Sequence, residues 1–529
     1  MIPSNVDTLT AEEREALAPY FTALEGPVFA LTGLPEVVKG ALFARYSRSP
    51  KSLRRLFADE FLPGGRASVP TGSAGAERAE SLYEKVFVEF GDDSVAQLGG
   101  VHLAVEGASN VLTKVLERGR LMAYLEQSTR YIPYTDRPGG RWRYVTPPEI
   151  ESSSLHGEFD AAMDRAFATY ARFLDGMQSF FERKFPRDAT TAEGAWRRAV
   201  RAKALDTVRG LLPAATKSSV GLYGSGQAFE ALLLRLRASP LAEARGCADR
   251  MLVELRKVIP AFVARVDQPD RGVRWSQYLA DTRAHAQATA HARLASVTPE
   301  ERSEVTLADF DPDGEAKVVA AALYPHATLP DEQLLAVARS MSDAERGEIL
   351  RAYVGERVNR RHKPGRAFER TSYRFDILSD YGAFRDLQRH RMLTIDWQPL
   401  SPAHGFTMPE EIAEAGFAAD WSRAMDESAR LFDALCGGGL GELGPYAISM
   451  AYRLRYAMQM NAREAMHVIE LRTAPQGHPS YRRVCQTMHD LIAQKHPAVA
   501  AAMVFADHSA VGLERLQAEQ KARRPGAAH

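Results

Sequence analysis

Two short stretches of the sequence place arginine side chains at one spacing, and that spacing suits the binding of an anion. The stretch RGRLMAYLEQSTRY runs from Arg118 to Tyr131, and QRHRMLTIDWQPLS runs from Gln388 to Ser401. Both contain two arginines separated by one residue, but only the first continues into a cluster of Glu, Gln, Ser and Arg. Guanidinium groups form paired, charge-assisted hydrogen bonds with phosphate. The two stretches therefore predict a cradle for a phosphorylated small molecule.

Further side chains of the same types stand downstream of each stretch. In the first half, Arg209 opens RGLLP and Arg237 ends FEALLLRLR. In the second half, NAREAMHVIELR carries Asn461, Arg463 and His467 at spacings of two and four residues, which do not place all three on one stripe of a helix. The alternative interpretation is a set of solvated helix faces, and the residue pattern alone leaves it open.

The sequence contains no pattern typical of a disulfide framework, a cysteine nucleophile, a metal site or a dinucleotide-binding strand and helix. The three cysteines are widely separated and form no CxxC pair, so neither a disulfide framework nor a placed nucleophile is predicted. His285 and His291 are six residues apart, which is not the spacing of a helical metal pair. The GxGxxG match at Gly439 to Gly444 follows a helical segment and not a strand, as a dinucleotide fingerprint requires. We expect no metal site.

The composition indicates an ordinary globular protein. Of its 529 residues 45% are apolar and 25% charged, and the formal net charge is zero. A neutral chain gives no general electrostatic attraction to nucleic acid or to a membrane surface, so neither partner is predicted. The N-terminal segment is acidic where a signal peptide needs an apolar core, and we expect a cytoplasmic protein.

The chain has landmarks that occur twice in the same order. PEVVKGALFARYSRSP, at 35–50, is echoed by AKVVAAALYPHATLP, which ends at Pro330. The paired arginines recur next, and the Leu-Arg dipeptide at 236–237 recurs at 471–472. Helical periodicity dominates, with short β-prone pieces between the helices. We therefore predict two homologous halves at 1–270 and 312–529, joined by a linker region at 271–311.

The motifs resemble those of one known family. RHRxxSxNExSxRY is the signature of the flavin-dependent thymidylate synthases. The first stretch fits it with Gly119 in place of the histidine, Ala123 in place of the first serine and Leu125 in place of the asparagine. In the second stretch RHR is intact, but Trp397, Pro399 and Ser401 replace the glutamate, serine and arginine. RGLLP and NAREAMHVIELR are similar to two further segments of the family. The chain looks like a tandem, diverged member of it.

The resemblance implies a fold and a reaction. The fold would be α/β of the α+β kind, each half a small antiparallel sheet packed with helices. The reaction would be methylation of dUMP to dTMP, with FAD as cofactor and with methylenetetrahydrofolate and NADPH as co-substrates. Members of the family build each active site from several subunits, so a fused chain would form a homodimer that acts as a pseudo-tetramer.

Site residues follow from the resemblance only where residues match. In the first half the matching positions would bind dUMP, with Arg118, Arg120, Ser128 and Arg237 as the catalytic ones; the set is Arg118, Arg120, Glu126, Ser128, Arg130, Arg209 and Arg237. In the second half the matching positions would bind FAD: Arg389, His390, Arg391, Asn461, Arg463 and His467. Each half keeps one side of the family site and has lost the other.

The sequence also departs from the family pattern. The glutamine three residues before RHR is replaced by Val115 in one half and by Asp386 in the other, and the family segment GHxSxxE is replaced by GDDSVAQ at 91–97. These positions leave two alternatives open. One is a related flavin enzyme that uses another pyrimidine or another one-carbon donor. The other is a catalytically inactive paralogue that keeps the fold for ligand binding or scaffolding.

Overall fold

The computed structural model describes residues 9–46, 49–60, 97–510 and 512–513, so the segment GDDSVAQ lies outside the described residues except for Gln97. Two compact units divide the chain. The first comprises residues up to 106, 119–126 and 219–296, and the second comprises 107–118, 127–218 and the residues from 297 onward. The units do not coincide with the two halves predicted from the sequence, because residues 107–118 and 127–218 belong to the second unit.

The helices and strands of the described residues are numbered in chain order. The helices are α1 Ala11–Leu17, α2 Glu36–Tyr46, α3 Leu53–Glu60, α4 Asn110–Leu116, α5 Pro148–Glu151, α6 His156–Lys184, α7 Glu193–Val208, α8 Gly226–Arg237, α9 Ala242–Arg256, α10 Arg274–Leu294, α11 Gly314–Leu323, α12 Asp331–Ser340, α13 Asp343–Val354, α14 Tyr381–Leu387, α15 Glu410–Glu414, α16 Ala418–Gly437, α17 Gly444–Ala447, α18 Ala462–Arg472, α19 Pro479–Lys495 and α20 Pro497–Ala501. The strands are β1 Gly100–Ser109, β2 Met122–Glu126, β3 Lys217–Ser225, β4 Val305–Phe310, β5 Ser372–Asp380, β6 Thr394–Trp397 and β7 Arg453–Asn461.

Four strands run directly into a helix through a capping side chain. Ser109, Ser225, Asp380 and Asn461 each end a strand and accept a hydrogen bond from a backbone N–H in the first turn of the next helix. Such a cap satisfies a donor that the helix itself leaves unpaired. The same strand, cap and helix arrangement therefore positions α4 and α8 in the first half and α14 and α18 in the second.

Two small sheets carry these caps, and both mix strands with helices as the resemblance implies. The first has the strand order β1-β3-β2, with β2 antiparallel to β3, and the second has the order β4-β5-β7-β6 with antiparallel pairs throughout. Setting β4 aside, β5-β7-β6 follows the order of β1-β3-β2. The shared order is what two homologous halves would produce, although the repeat itself stays a prediction.

Alternating apolar residues bury one face of the larger sheet. Tyr373, Phe375 and Ile377 of β5 are buried, as are Tyr456 and Met458 of β7. The period of two follows from the pleat, which sends successive side chains to opposite faces. Helix α19 packs against β4 and β5 on this sheet. The sheet thus fixes where α14 and α18 begin. The predicted flavin residues Arg389, His390 and Arg391 follow the end of α14, and Asn461, Arg463 and His467 lie at the start of α18.

Helices supply the rest of the core of the second unit. The 29-residue α6 packs against α7 and α16 and buries large aromatic residues that include Phe167, Phe173 and Phe181. By contrast, α10 falls in the predicted linker region, and none of its residues is buried. None of the helices that the structure describes combines the length and the apolar character needed to cross a membrane.

Candidate functional site

Arg130 forms a closed set of hydrogen bonds inside the second unit. Its Nε and Nη2 donate to the two carboxylate oxygens of Asp206 at 2.8 and 2.7 Å, and its Nη1 donates to the hydroxyl of Tyr481 at 2.8 Å. Nη2 also reaches the carbonyl oxygen of Gln476 at 3.1 Å. These contacts use four of the five N–H donors of the guanidinium group within the protein itself.

Asp386 holds three further arginines from both halves of the chain. Its carboxylate pairs with Nη2 of Arg389, with Nη1 of Arg209 at 3.3 Å and with Nη1 of Arg472 at 3.7 Å. Asp386 stands on α14, and Arg472 is the last residue of α18. We call Arg130, Arg209, Arg389 and Arg472, with Asp206 and Asp386, the arginine cluster. It joins predicted nucleotide residues of the first half to residues of the second.

The charges of the arginine cluster stabilise one another. Burial raises the pKa of Asp386, but Arg389, Arg209 and Arg472 outweigh it, so the pKa lies below its ordinary value. Burial likewise raises the pKa of Asp206, and Arg130 more than reverses it. Both carboxylates are therefore ionised at neutral pH, where all four guanidinium groups are also charged.

The cluster keeps an excess of positive charge. Four guanidinium groups and two carboxylates give the cluster a net charge of +2. Asp380 lies nearby and lowers this net charge to +1 when it is ionised. Burial raises the pKa of Asp380, an effect that Arg209 partly offsets. Among the described residues no acceptor lies within hydrogen-bonding distance of Nη2 of Arg209, although this guanidinium is 4% exposed. A buried donor without an acceptor costs about 1–3 kcal/mol, so an anion is the natural ligand here.

Gly382 allows Arg209 to come this close to α14. A Cβ at position 382 would lie 3.0 Å from Nε and 3.1 Å from Nη2 of Arg209, and 3.0 Å from Oδ1 of Asp380. These separations are tighter than almost all real Cβ contacts allow. The absence of a side chain at 382 therefore leaves the space that the guanidinium occupies.

The predicted flavin residues lie around the start of α18. The side chain of Asn461 caps this helix by accepting from the backbone N–H of Glu464 at 2.9 Å. The rings of His390 and His467 meet edge to face, with an interplanar angle of 69° and centroids 5.5 Å apart. Arg463 donates to the carbonyl oxygen of Pro364 at 2.9 Å and pairs with Glu369 at 3.3 Å. Arg389 is partly buried, and Arg391 is exposed.

Both histidines near α18 are neutral at physiological pH. Burial, with Arg472 and Arg389, holds the pKa of His390 well below its ordinary value. Burial also lowers the pKa of His467 to about 4, although Glu464 opposes the shift. The pKa of Glu464 is itself raised by burial. Neutral imidazoles beside guanidinium groups offer hydrogen bonds without adding positive charge.

His390, Glu464 and His467 lie close enough to suggest a metal site, but their chemistry does not fit one. Nε2 of His390 accepts a hydrogen bond from Nε of Arg472 at 2.9 Å, so the proton of this neutral ring is on Nδ1, the atom that faces Glu464 at 3.6 Å. Neither ring nitrogen of His390 then has a lone pair available for a cation. The surroundings, with Arg472, Arg389 and Lys363, suit an anionic cofactor such as FAD.

The remaining predicted nucleotide residues are placed differently. Arg118 donates to Asp396 at 2.8 Å and lies over the ring of Trp397, both in the second half. Arg120 is exposed, and Arg237 pairs with Asp249 at 2.7 Å in the first unit. The described contacts of Arg118 are therefore with β6, and that of Arg237 is with α9.

Two more predicted residues stand at the end of β2. Glu126 is buried opposite Val220 of β3, within the first unit. The hydroxyl of Ser128, in the second unit, accepts from the backbone N–H of Arg130 at 3.2 Å and so shapes the turn that carries this arginine. Ser128 thus positions Arg130 in the described structure.

Asp206 and Tyr481 contact Arg130 but were not predicted from the sequence motifs. A signal for Asp206 is present, because it precedes Arg209 by three residues and so lies one helical turn away on the same face. Tyr481 gave no comparable signal, since it contacts Arg130 from 351 residues away in the sequence.

A cavity of about 340 Å³ borders the cluster on one side. It is lined by Asp206 and His478 and by residues of both charges, with Lys203 and Glu411 paired at 3.2 Å. None of the four cluster arginines lines it. The case for an anion therefore rests on the arginine cluster and not on this cavity.

Comparison with known families gives two matches along the chain. The family described as thymidylate synthase complementing protein matches residues 43–261 and again residues 306–498. The two matches cover most of the two predicted halves and leave out most of the predicted linker region. The flavin-dependent resemblance seen in the motifs and the family match therefore point the same way.

Relatives of two kinds are found among known proteins. A UPF0159 protein of Chlamydia muridarum is 36% identical over 517 residues, which cover 96% of this chain and 98% of the relative. A UPF0159 protein of Thermoplasma acidophilum is 29% identical over 508 residues, covering 91% and 97%. A flavin-dependent thymidylate synthase of a Mycobacterium species is 32% identical over 205 residues, covering 38% of this chain and 76% of the relative.

Proposed function

The chain belongs to the thymidylate synthase complementing protein family, and from this premise we propose that it is a flavin-dependent enzyme acting on a pyrimidine nucleotide. Methylation of dUMP to dTMP is the leading reaction. The chain's similarity to flavin-dependent thymidylate synthases supports the use of a flavin. The cytoplasm remains the expected location, and a homodimer that acts as a pseudo-tetramer remains the expected assembly.

The observation that carries the proposal is the positive surplus of the arginine cluster. A phosphate monoester carries close to two negative charges at neutral pH. Nη2 of Arg209 offers it a donor that is already buried and oriented. Oriented donors in a site of low dielectric bind an anion more strongly than solvated ones, because they need no reorganisation. The phosphate of the nucleotide would lie against Arg209 and Arg130.

The residues around α18 would hold FAD. Neutral His390 and His467 and the guanidinium groups of Arg389, Arg391 and Arg463 suit its diphosphate, while the N-terminus of α18 adds backbone donors. When bound, FAD would pass reducing equivalents from NADPH to the one-carbon unit that methylenetetrahydrofolate supplies. The chain would hold the nucleotide and the cofactor side by side. Arg389 would connect the two sites, because it pairs with Asp386 of the arginine cluster and is next to His390 in the sequence.

Asp386 favours a related flavin enzyme that uses another pyrimidine or another one-carbon donor than dUMP and methylenetetrahydrofolate. It replaces a neutral glutamine with a carboxylate that pairs with three arginines. A carboxylate accepts hydrogen bonds and cannot donate them when ionised. A substrate group that needs a donor at this position would bind poorly, so the choice of substrate is expected to differ.

The first test is an absorption spectrum of the protein reconstituted with FAD and then titrated with dUMP. We expect a bound flavin whose absorption bands shift on addition of dUMP, because the two ligands would share one site. A bound flavin that does not respond to dUMP would favour another pyrimidine, and deoxycytidine monophosphate and the pyrimidine nucleosides would be titrated next. A protein that retains no flavin would contradict the enzyme proposal.

A variant of Arg209 tests the phosphate role separately. Arg209→Lys keeps the positive charge beside Asp386 but removes the second arm of the fork. We expect affinity for dUMP to fall by about tenfold or more, since a charge-assisted hydrogen bond contributes about 1.5–3 kcal/mol, while FAD affinity stays the same. Isothermal titration gives both constants.

Arg201→Lys is the matched control, because Arg201 is an exposed arginine of α7, the helix that ends just before Arg209. It should bind both ligands as the unaltered chain does. Equal dUMP affinity in Arg209→Lys and the unaltered chain would remove Arg209 from the proposed phosphate site.

The second candidate function is a non-catalytic one, and the contacts of Arg130 favour it. Asp206, Tyr481 and the carbonyl oxygen of Gln476 already use its donors, as in an ion network with a purely structural role. A chain of this kind would keep the fold for ligand binding or scaffolding. Flavin retained with no nucleotide response from any pyrimidine would support this candidate over the enzyme.

A further inference from the structure

One stripe of α19 holds the segment that follows α20. Nη2 of Arg482 donates to the carbonyl oxygen of Ser509 at 3.0 Å and to Asp507 at 3.4 Å, and Nε2 of Gln486 donates to the carbonyl oxygen of Asp507 at 2.9 Å. Residues 482, 486 and 489 are spaced by four and three, so they share one face of the helix. His489 is therefore directed at the same segment, where His508 stands between the two anchored residues.

The two histidines meet through their ring nitrogens. Nδ1 of His489 lies 3.1 Å from Nε2 of His508. The other nitrogen of His489, Nε2, lies 3.3 Å from the carbonyl oxygen of Ala500, to which it can only donate. The neutral ring of His489 therefore carries its proton on Nε2, and the lone pair of its Nδ1 is directed at Nε2 of His508.

This arrangement matches the ligand geometry of a transition-metal ion. Two nitrogens that each lie 2.0–2.1 Å from a tetrahedral ion are roughly 3.3 Å apart. The carboxylate of Asp490 lies 4.0 Å from Nδ1 of His489 and 3.9 Å from Nε2 of His508, so a small rotation of its side chain brings it into the same shell. A metal-bound histidine commonly donates its second N–H to a backbone carbonyl, as His489 does to Ala500.

We propose that His489, His508 and Asp490 bind a divalent transition-metal ion, with zinc the best match. Two imidazoles and a carboxylate suit zinc, and water would complete the tetrahedron. The ion would connect α19 to the segment at 507–509, which Arg482 and Gln486 already place, so little ordering accompanies binding. This site is independent of the arginine cluster and of the proposed reaction. His489 differs from His390, which accepts a hydrogen bond from Arg472, because the described partners of its two ring nitrogens are His508 and the carbonyl oxygen of Ala500.

Titration of the full-length, chelator-treated protein with zinc tests the proposal. We expect one zinc ion to bind per chain in isothermal titration, and cobalt added in its place to give the intense visible bands of a tetrahedral complex. His508→Ala should weaken zinc binding by at least tenfold and abolish the cobalt bands. His508 is exposed, so its removal leaves the core unchanged. Asp490→Asn should weaken binding by a smaller factor.

The matched control is His326→Ala, which removes another exposed histidine. It should bind zinc as the unaltered chain does. Zinc should also raise the thermal midpoint of the unaltered chain and of His326→Ala, but not that of His508→Ala, because only a ligand that binds the folded state stabilises it. Equal zinc affinity in His508→Ala and the unaltered chain would overturn the proposal, as would an unaltered chain that binds no zinc.

Discussion

At the scale of single residues, Asp386 is the departure from the family motif with the largest expected effect on the candidate site. In the family pattern a neutral glutamine stands here, and in this chain a buried carboxylate pairs with Arg209, Arg389 and Arg472. A carboxylate at this point compensates charge that would otherwise repel within the core. The carboxylate also lies next to guanidinium groups that would otherwise bind a substrate anion, and its negative charge competes with that anion. We therefore expect Asp386 to affect both stability and ligand choice.

Replacing Asp386 with asparagine should expose both effects. Removing one partner from a buried ion pair leaves uncompensated charge and costs about 3–5 kcal/mol, so we expect a lower thermal midpoint. The surplus of the cluster rises by one, and inorganic phosphate should therefore stabilise Asp386→Asn more than it stabilises the unaltered chain. Thermal unfolding with and without phosphate, at constant ionic strength, measures this difference.

Asp249→Asn is the control for Asp386→Asn, because the carboxylate of Asp249 is 65% exposed. Surface substitutions of this kind change stability by about 0.5 kcal/mol or less. An equal response of Asp386→Asn and the unaltered chain to phosphate would argue against an anion site at the cluster.

At the scale of elements, the strand, cap and helix arrangement places the candidate site. Asp380 and Asn461 end neighbouring antiparallel strands of one sheet, so α14 and α18 begin at opposite ends of that strand pair. Asp386 and Arg472 lie near the ends of these helices and meet there. Asn461 therefore has a structural role in the described contacts, in addition to the flavin role that the resemblance implies.

The capping role of Asn461 can be separated from ligand binding. Asn461→Ala should lower the free energy of unfolding by about 1 kcal/mol in the absence of flavin, because it removes the acceptor for the backbone N–H of Glu464. Asn461→Ser should retain most of that stability, since serine caps a helix equally well. Denaturant unfolding of the flavin-free proteins measures both. A stability loss seen only with flavin present would assign the side chain to the ligand alone.

At the scale of the whole molecule, buried histidines are expected to make stability depend on pH. The pKa of His478 lies well below its ordinary value because of burial and of Arg209, and His390 behaves similarly. Each histidine is protonated in the unfolded chain below about pH 6.5 but stays neutral in the folded one. The unfolded chain then binds more protons, so stability falls as the pH is lowered from about 6.5.

Thermal midpoints measured between pH 7.5 and 4.5 should therefore fall with acidification. Each such histidine contributes up to about 1.4 kcal/mol per pH unit. The raised pKa values of Glu464 and Asp380 oppose this trend, because these groups take up protons more readily in the folded chain. Asp206 and Asp386 have lowered pKa values, so the stability that they contribute is lost only at lower pH, below about 4.

His478→Asn tests the histidine contribution directly. Asparagine also caps helices, so α19 keeps its N-terminal cap. We expect a lower midpoint at pH 7.5, from the lost contact with the carbonyl oxygen of Asp206, and a shallower fall towards pH 4.5. An unchanged slope would show that His478 does not titrate differently in the folded and unfolded chains.

The sequence by itself determined the family, the motifs and the kinds of elements, because each of these depends on residues close together along the chain. Alternating apolar residues, capping side chains and RHR are local patterns. The sequence did not determine which arginines meet, because Arg209 and Asp386 are 177 residues apart. Nor did it determine that Asp206 and Asp386 compensate arginines assigned to the nucleotide. Only tertiary structure brings such groups together, since side-chain pairing depends on how strands and helices pack.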